Sequence, residues 1–204
     1  GALVAQSREL VGHQWVIDYV HVHGPKLSEV AGIRRVCHPG DMAEDSESEI
    51  EAIDFAVAAY REEGIWQLHA LDQAKLESVD SIARELRRYP GDNGAIGLLS
   101  VDEDFFVIVR ARGAHVTVLL SDASAATDWS LARSVTDFVG VPVEDDDEPA
   151  PAGDLAIFAD MGIPAMDMGL MLDDLDLYPD EQLSDIASKL GFGPRFDELA
   201  GLGS

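Results

Sequence analysis

The sequence is short of cysteine, of positive charge and of long apolar runs. Its single cysteine, Cys37, excludes an internal disulfide and any zinc site built from several cysteines, which fits a reducing compartment. No stretch of about 18 or more uninterrupted apolar residues is present, so no membrane-spanning helix is expected. The N-terminus lacks the basic-then-apolar layout of a signal peptide, and a cytoplasmic location is expected. Lys and Arg number 14 against 39 Asp and Glu, a formal net charge of −25. Such a surface repels phosphate backbones and anionic lipid, so direct nucleic-acid or membrane binding is not expected, whereas a basic protein is a compatible partner. Acidity of this kind also keeps a protein soluble without any partner.

Catalytic signatures are missing as well. Beyond residue 41 the only histidines are His69 and His115, and both fall in strand-like segments. The stretch Leu119-Leu-Ser-Asp-Ala-Ser-Ala-Ala-Thr-Asp-Trp-Ser-Leu-Ala-Arg-Ser-Val135 most nearly looks like a nucleophile or phosphate loop. It has neither the G-x-S-x-G frame of a nucleophile elbow nor the glycines and Lys-Ser/Thr of a phosphate loop. Its polar residues suit a turn leaving a strand, with Thr127 or Asp128 as a helix N-cap. Asp173-Asp-Leu-Asp-Leu-Tyr-Pro-Asp-Glu181 lacks the sixth-position glycine and alternating oxygen ligands of a calcium loop. His21, His23, Cys37 and His38 are metal-capable but stand in a segment compositionally foreign to the rest. No catalytic residue, cofactor or metal is therefore assigned.

What is present divides the chain by charge. Residues 1–41 carry four bases and four acids and are neutral, and all of the acidity follows Met42. Residues 1–53 read as an N-terminal extension, disordered or artefactual up to residue 41. Residues 54–143 form a sheet domain, residues 144–153 an acidic, proline-containing linker, and residues 154–204 an acidic helical module. From Glu144 onward sixteen acids stand against Lys189 and Arg195, which gives −14.

In the middle segment, Phe55–Arg61 and Ile65–Leu71 alternate like strands about Glu62-Glu63-Gly64, which suits a hairpin with a bulge. From Ser78 to Tyr89, the apolar residues Val79, Ile82, Ala83 and Leu86 recur at helical spacing. Ala95–Val101, Phe105–Arg112 and His115–Leu120 read as three more strands, and Trp129–Val139 as a closing helix. The expected fold class is α+β: a five-stranded antiparallel sheet with helices on one face, in the order β-β-α-β-β-β-α, plus a small all-α C-terminal module. This order resembles roadblock, longin and profilin-like domains, which often serve as docking platforms. Met161, Met166, Met168 and Met171 form a methionine-rich stripe that suits either helix packing or a partner groove.

Asp54-Phe-Ala-Val-Ala-Ala-Tyr-Arg-Glu-Glu-Gly64, Gly94-Ala-Ile-Gly-Leu-Leu-Ser-Val-Asp102, Phe105-Phe-Val-Ile-Val-Arg110, the "LLSDASAATDWSLA" stretch, "DDLDLYPDE" and Leu190-Gly-Phe-Gly193 run in order from about Ile53 to Leu199. On these residues the chain resembles the actinobacterial tRNA adenosine deaminase-associated proteins. The resemblance implies an accessory protein whose partner is the tRNA adenosine deaminase, and supplies no catalytic residues. The chain is not itself a zinc deaminase, because the H-x-E and P-C-x-x-C motifs are absent. The expected partner contact is Asp173, Asp174, Asp176, Asp180 and Glu181. The alternatives are an interaction or regulatory protein with an unrelated partner, forming a homodimer through a sheet edge or helix pair, and an uncharacterised enzyme.

Two outcomes follow from the charge distribution. Deleting residues 1–41 leaves the melting temperature of the remainder unchanged; loss of the melting transition would contradict this. Moderate NaCl raises the melting temperature by screening self-repulsion among the carboxylates, and a fall would contradict it.

Overall fold

In this computed structural model, residues 10–11, 14–15, 52–143, 149–174 and 176–203 are described. The chain divides into two units, Gly1–Val36 and Cys37–Ser204. In the first unit, β1 (Leu10–Val11) pairs antiparallel with β2 (Gln14–Trp15). The metal-capable His21, His23, Cys37 and His38 and residues 42–51 of the expected N-terminal extension lie outside the described residues.

In the second unit β3 (Ile53–Glu62) and β4 (Ile65–Ala70) form a hairpin whose closing pair is Glu62 and Ile65. Glu63 (φ 51°) and Gly64 (φ 79°) both take positive φ, which gives a tight two-residue turn rather than the expected bulged one. Ser78 begins α1 (Val79–Leu86): its hydroxyl accepts from Ser81 N at 3.3 Å, while its own N–H donates to Ser81 Oγ at 2.9 Å. Val79, Ile82, Ala83 and Leu86 are the buried residues of this helix. Strands β5 (Ala95–Val101), β6 (Phe105–Arg112) and β7 (His115–Leu120) then form a meander, followed by α2 (Ser130–Val139). A Cβ on Gly97 of β5 would lie 3.3 Å from Leu86 Cδ1, so α1 rides close on the sheet.

The sheet differs from expectation in having six strands. Ala152–Gly153, inside the segment read as a linker, is β8 and pairs with Leu120 and Leu119 of β7. Gly153 fits because its φ is 109° and a Cβ there would collide with the Val118 carbonyl. The strand order is β4-β3-β5-β6-β7-β8, antiparallel throughout.

The second correction concerns the faces. Helices cover both sides of the sheet, not one. On the first face Ala56, Leu99, Phe105, Val107, Val109 and Leu120 pack with Ile82 and Leu86 of α1 and Leu131 and Val135 of α2. On the opposite face Phe55, Val57, Ile96, Leu98, Phe106 and Ile108 pack beneath α3 (Ala165–Leu172), α4 (Pro179–Leu190) and α5 (Gly193–Ala200) through Met168, Leu183, Ile186 and Phe196. The physical reason is visible in β5 and β6: every residue of β5, and every residue of β6 except Arg112, is buried, so apolar side chains leave the sheet on both sides and both must be covered. Among the described residues no helix is long and apolar enough to cross a membrane.

One charge lies within the second core. Arg110, 1% exposed, donates from Nη1 to the Ile157 carbonyl at 2.7 Å. Its Nη1 and Nη2 also grip both carboxylate oxygens of Asp160, at 2.6 and 2.8 Å. This two-pronged pair ties the start of the C-terminal segment to β6. The Arg110 guanidinium holds the Asp160 carboxyl below its ordinary value of 3.8, against an opposing effect of burial. The sign follows: a depressed folded-state pKa stabilises the fold above the ordinary value, and that contribution is lost as pH falls through the lower one.

Removing one partner should hurt more than removing both. Asp160→Ala leaves the guanidinium buried and unpaired and is expected to lower stability in urea by roughly 1.5–3 kcal/mol at neutral pH. The double variant Arg110→Met/Asp160→Asn, with an apolar side chain in the same space, loses less. Equal losses in the single and double variants would contradict the assignment.

Candidate functional site

The acidic residues expected to contact a partner come together at the corner where α3 turns into α4. The backbone leaves α3 at Asp173, and Asp176 N–H donates to Asp174 Oδ1 at 3.2 Å within the connection. Gln182, buried on α4, reaches back with its Nε2 to the carbonyls of Met171 (3.2 Å) and Asp174 (3.1 Å), which pins the corner. Pro179 occupies the first turn of α4, and Glu181 Oε2 accepts from Tyr178 N–H at 3.0 Å, so the fixed φ of proline and a capping carboxylate start that helix together.

The five acids divide by role. Asp180 and Glu181 stand in the first turn of α4, where negative charge complements the helix dipole, so a local structural reason for them exists. Asp174 caps the connection through its Oδ1. Asp173 sits at the C-terminal end of α3, where the dipole favours cations, and it is exposed. Among the described residues the carboxylates of Asp173, Asp176 and Asp180 accept no hydrogen bond and meet no basic side chain within ion-pair distance. At Asp173 and Asp176 the corner therefore holds carboxylates that neither a helix dipole nor a cation among the described residues compensates.

The methionine stripe is split by the structure. Met168 is fully buried, and Met161 and Met171 are half-buried against the second core. Met166 is 78% exposed, and Leu170, one turn on, is 66% exposed. Tyr178, at the head of α4, is exposed too. Sequence reasoning did not separate these residues from the core. The available signal was that α3 has a single polar residue, Asp167, in eight, so it is apolar all round although one side must face water.

The stretch from Leu119 to Ala132 is used for turn geometry. Ser121 Oγ accepts from Phe106 N–H at 2.8 Å. Asp122 Oδ1 accepts from both the N–H (2.9 Å) and the hydroxyl (2.8 Å) of Ser124. Thr127 Oγ1 donates to the Ser124 carbonyl at 2.9 Å. The expected N-cap role of Thr127 or Asp128 is not what forms: α2 starts two residues later, after Trp129, without a side-chain cap. Nearby, burial and the carboxylates of Asp122, Asp102 and Asp128 raise the Asp104 pKa, opposed by a hydrogen bond from Trp129. Elsewhere, His69 Nε2 lies 3.2 Å from Tyr60 Oη, and the Tyr60, His69 and Tyr89 rings are mutually packed. Among the described residues no group of three or more His, Cys, Asp or Glu side chains is placed to hold a metal ion.

Residues 54–193, which take in the sheet from the second residue of β3, helices α1 to α4 and the α3–α4 corner but only the first residue of α5, match the model of the Rv3753c-like tRNA adenosine deaminase-associated proteins. The chain is similar to Protein Rv3753c of Mycobacterium tuberculosis, with 40% identity over 149 residues that cover 71% of this chain and 86% of the relative. No solved structure matches it. A family match over most of the chain and a relative of this similarity lead to one conclusion: the chain belongs to the Rv3753c-like tRNA adenosine deaminase-associated protein family.

Proposed function

We propose that this protein is a non-catalytic, cytoplasmic accessory protein that binds the tRNA adenosine deaminase of its own cell and modulates that enzyme's access to tRNA. The single observation that carries this reading is the uncompensated charge of the α3–α4 corner. Among the described residues no cation lies within ion-pair distance of the carboxylates of Asp173 and Asp176, and Asp173 opposes the dipole of its own helix. A partner bearing Lys and Arg removes that penalty, and an enzyme that binds tRNA needs such a surface. Opposite potentials steer the encounter and fix its orientation. The family description, which names an association with tRNA adenosine deaminase, supports this choice of partner, and in this reading Asp173, Asp174, Asp176, Asp180 and Glu181 make the contact.

A second reading, self-association through a sheet edge, draws on β4. The alternating register of its hairpin turns the backbone groups of Trp66, Leu68 and Ala70 outward, and Ile65 is 61% exposed. Part of this edge is occupied, since Arg195 Nη1 donates to the Trp66 carbonyl at 2.6 Å.

Calorimetric titration of the full chain with the cognate deaminase tests the first reading. Saturable binding is expected, weakened by NaCl and by competing tRNA. Asp173→Asn/Asp174→Asn/Asp176→Asn is expected to weaken it about tenfold, equivalent to roughly 1.4 kcal/mol. Absence of binding at low salt, or binding indifferent to salt and to the triple variant, would overturn the reading.

A further inference from the structure

The acids of the corner border a surface that electrostatics alone does not explain. At about 100° per residue, Met166, Gly169, Leu170 and Asp173 fall within one sector of α3 roughly 100° wide. Met168 and Leu172, on the other side, enter the core. Met166 (78%) and Leu170 (66%) are the most exposed of the large apolar side chains among the described residues. They stand one turn apart, with Asp167 and Asp174 beside them and Asp173 closing the C-terminal end.

Gly169 is an independent observation. Glycine within a helix is destabilising relative to alanine, because it has more backbone freedom to lose. Its φ is not in the left-handed region, and a Cβ there would meet nothing within 4 Å. The packing of the described residues therefore gives no reason for a glycine at this position. In the middle of an exposed apolar stripe, a missing side chain has a different effect: it lets a second backbone approach the helix closely.

We infer that the Met166–Gly169–Leu170 stripe of α3 is the anchor of the docking surface and receives a basic amphipathic helix of the partner. This rests on the reading of the acidic corner as a contact with a basic protein. The partner helix crosses over Gly169 and lays apolar side chains, spaced i, i+3 and i+4, against Met166 and Leu170. Its flanking Lys and Arg face Asp167, Asp173 and Asp174. The unbranched thioether of Met166 adapts to the side chains it meets. The charged rim selects this occupant over others. A second copy would bring the same carboxylates onto these, and an anionic membrane would be repelled by them.

The test uses two probes on the full chain at physiological ionic strength: a helical Leu/Lys peptide with leucines at i, i+3 and i+4 spacing, and an oligolysine of equal length. Calorimetry reads affinity, and amide chemical shifts locate the site. The amphipathic peptide is expected to bind at least about tenfold more tightly than oligolysine and to shift the signals of residues 165–174. Met166→Ser/Leu170→Ser, which changes only exposed side chains and no charge, abolishes that preference. Gly169→Ala raises the melting temperature by about 2–4 °C while weakening the peptide about tenfold. Equal binding of the two peptides, a preference that survives the double variant, or a lowered melting temperature in Gly169→Ala would overturn the inference. So would a dimer of the unaltered protein that the double variant abolishes, since the stripe would then serve a second copy. Titrating the deaminase separates this inference from the reading beneath it. Unchanged deaminase binding by the double variant overturns the stripe and leaves the accessory role standing. No deaminase binding by the unaltered protein overturns the accessory role, while the peptide preference still stands or falls by itself.

Discussion

Strands β5 and β6 are buried along almost their whole length on both faces, and the rest of the fold follows from that constraint. A sheet of this composition with helices on one side only would leave Phe55, Ile96, Leu98, Phe106 and Ile108 in water. At about 25 cal/mol per Å² of apolar surface, each such side chain contributes roughly 1.5–3 kcal/mol when covered. The C-terminal helices therefore complete the core instead of forming an appendage to it. Arg110 sets where they begin, because its fork on Asp160 and Ile157 anchors the chain just after β8. The cost of placing a guanidinium there is visible in its Nε, which has no hydrogen-bond partner.

This arrangement also determines what is left outside. Helix α4 directs Leu183, Ile186, Ala187 and Leu190 inward, and α5 contributes Phe196. Helix α3 is apolar on all sides but turns only one of them to the sheet: Met168 and Leu172 reach the core, and Met166 and Leu170, on the other side, do not. An exposed apolar stripe on an otherwise strongly acidic surface thus results from the way the second face is covered. In the proposed reading the acidity keeps such a stripe from joining chains indiscriminately and favours basic partners.

Much of the local structure was legible in the sequence, because it rests on local rules. Val79, Ile82, Ala83 and Leu86 are the stripe and also the buried set. The paired strands meet at glycine-containing connections, as expected, although Glu63-Gly64 makes a tight two-residue turn where a bulged one is expected. The second helical layer was legible in principle and misread: "AIGLLSV" and "FFVIV" do not alternate, and an unbroken apolar strand signals cover on both sides. Strand β8 was not legible. Two residues in an acidic, proline-flanked segment carry no periodicity, and their pairing is decided by the free edge of β7 at Leu119 and Leu120. The Arg110–Asp160 pair spans fifty residues and has no local signature. The acids of the corner stood out by composition. Their apolar neighbours did not, because exposure within a uniformly apolar helix depends on which side the core takes.

Hydrogen–deuterium exchange on the full chain, with and without the cognate tRNA adenosine deaminase, tests the central claim most directly. The account predicts that the enzyme slows exchange across residues 165–181, in α3 and at the head of α4, and leaves α1 and α2 on the opposite face unchanged. Protection confined to the α1 and α2 face, or no protection anywhere under conditions where the enzyme is active and tRNA is absent, would contradict it.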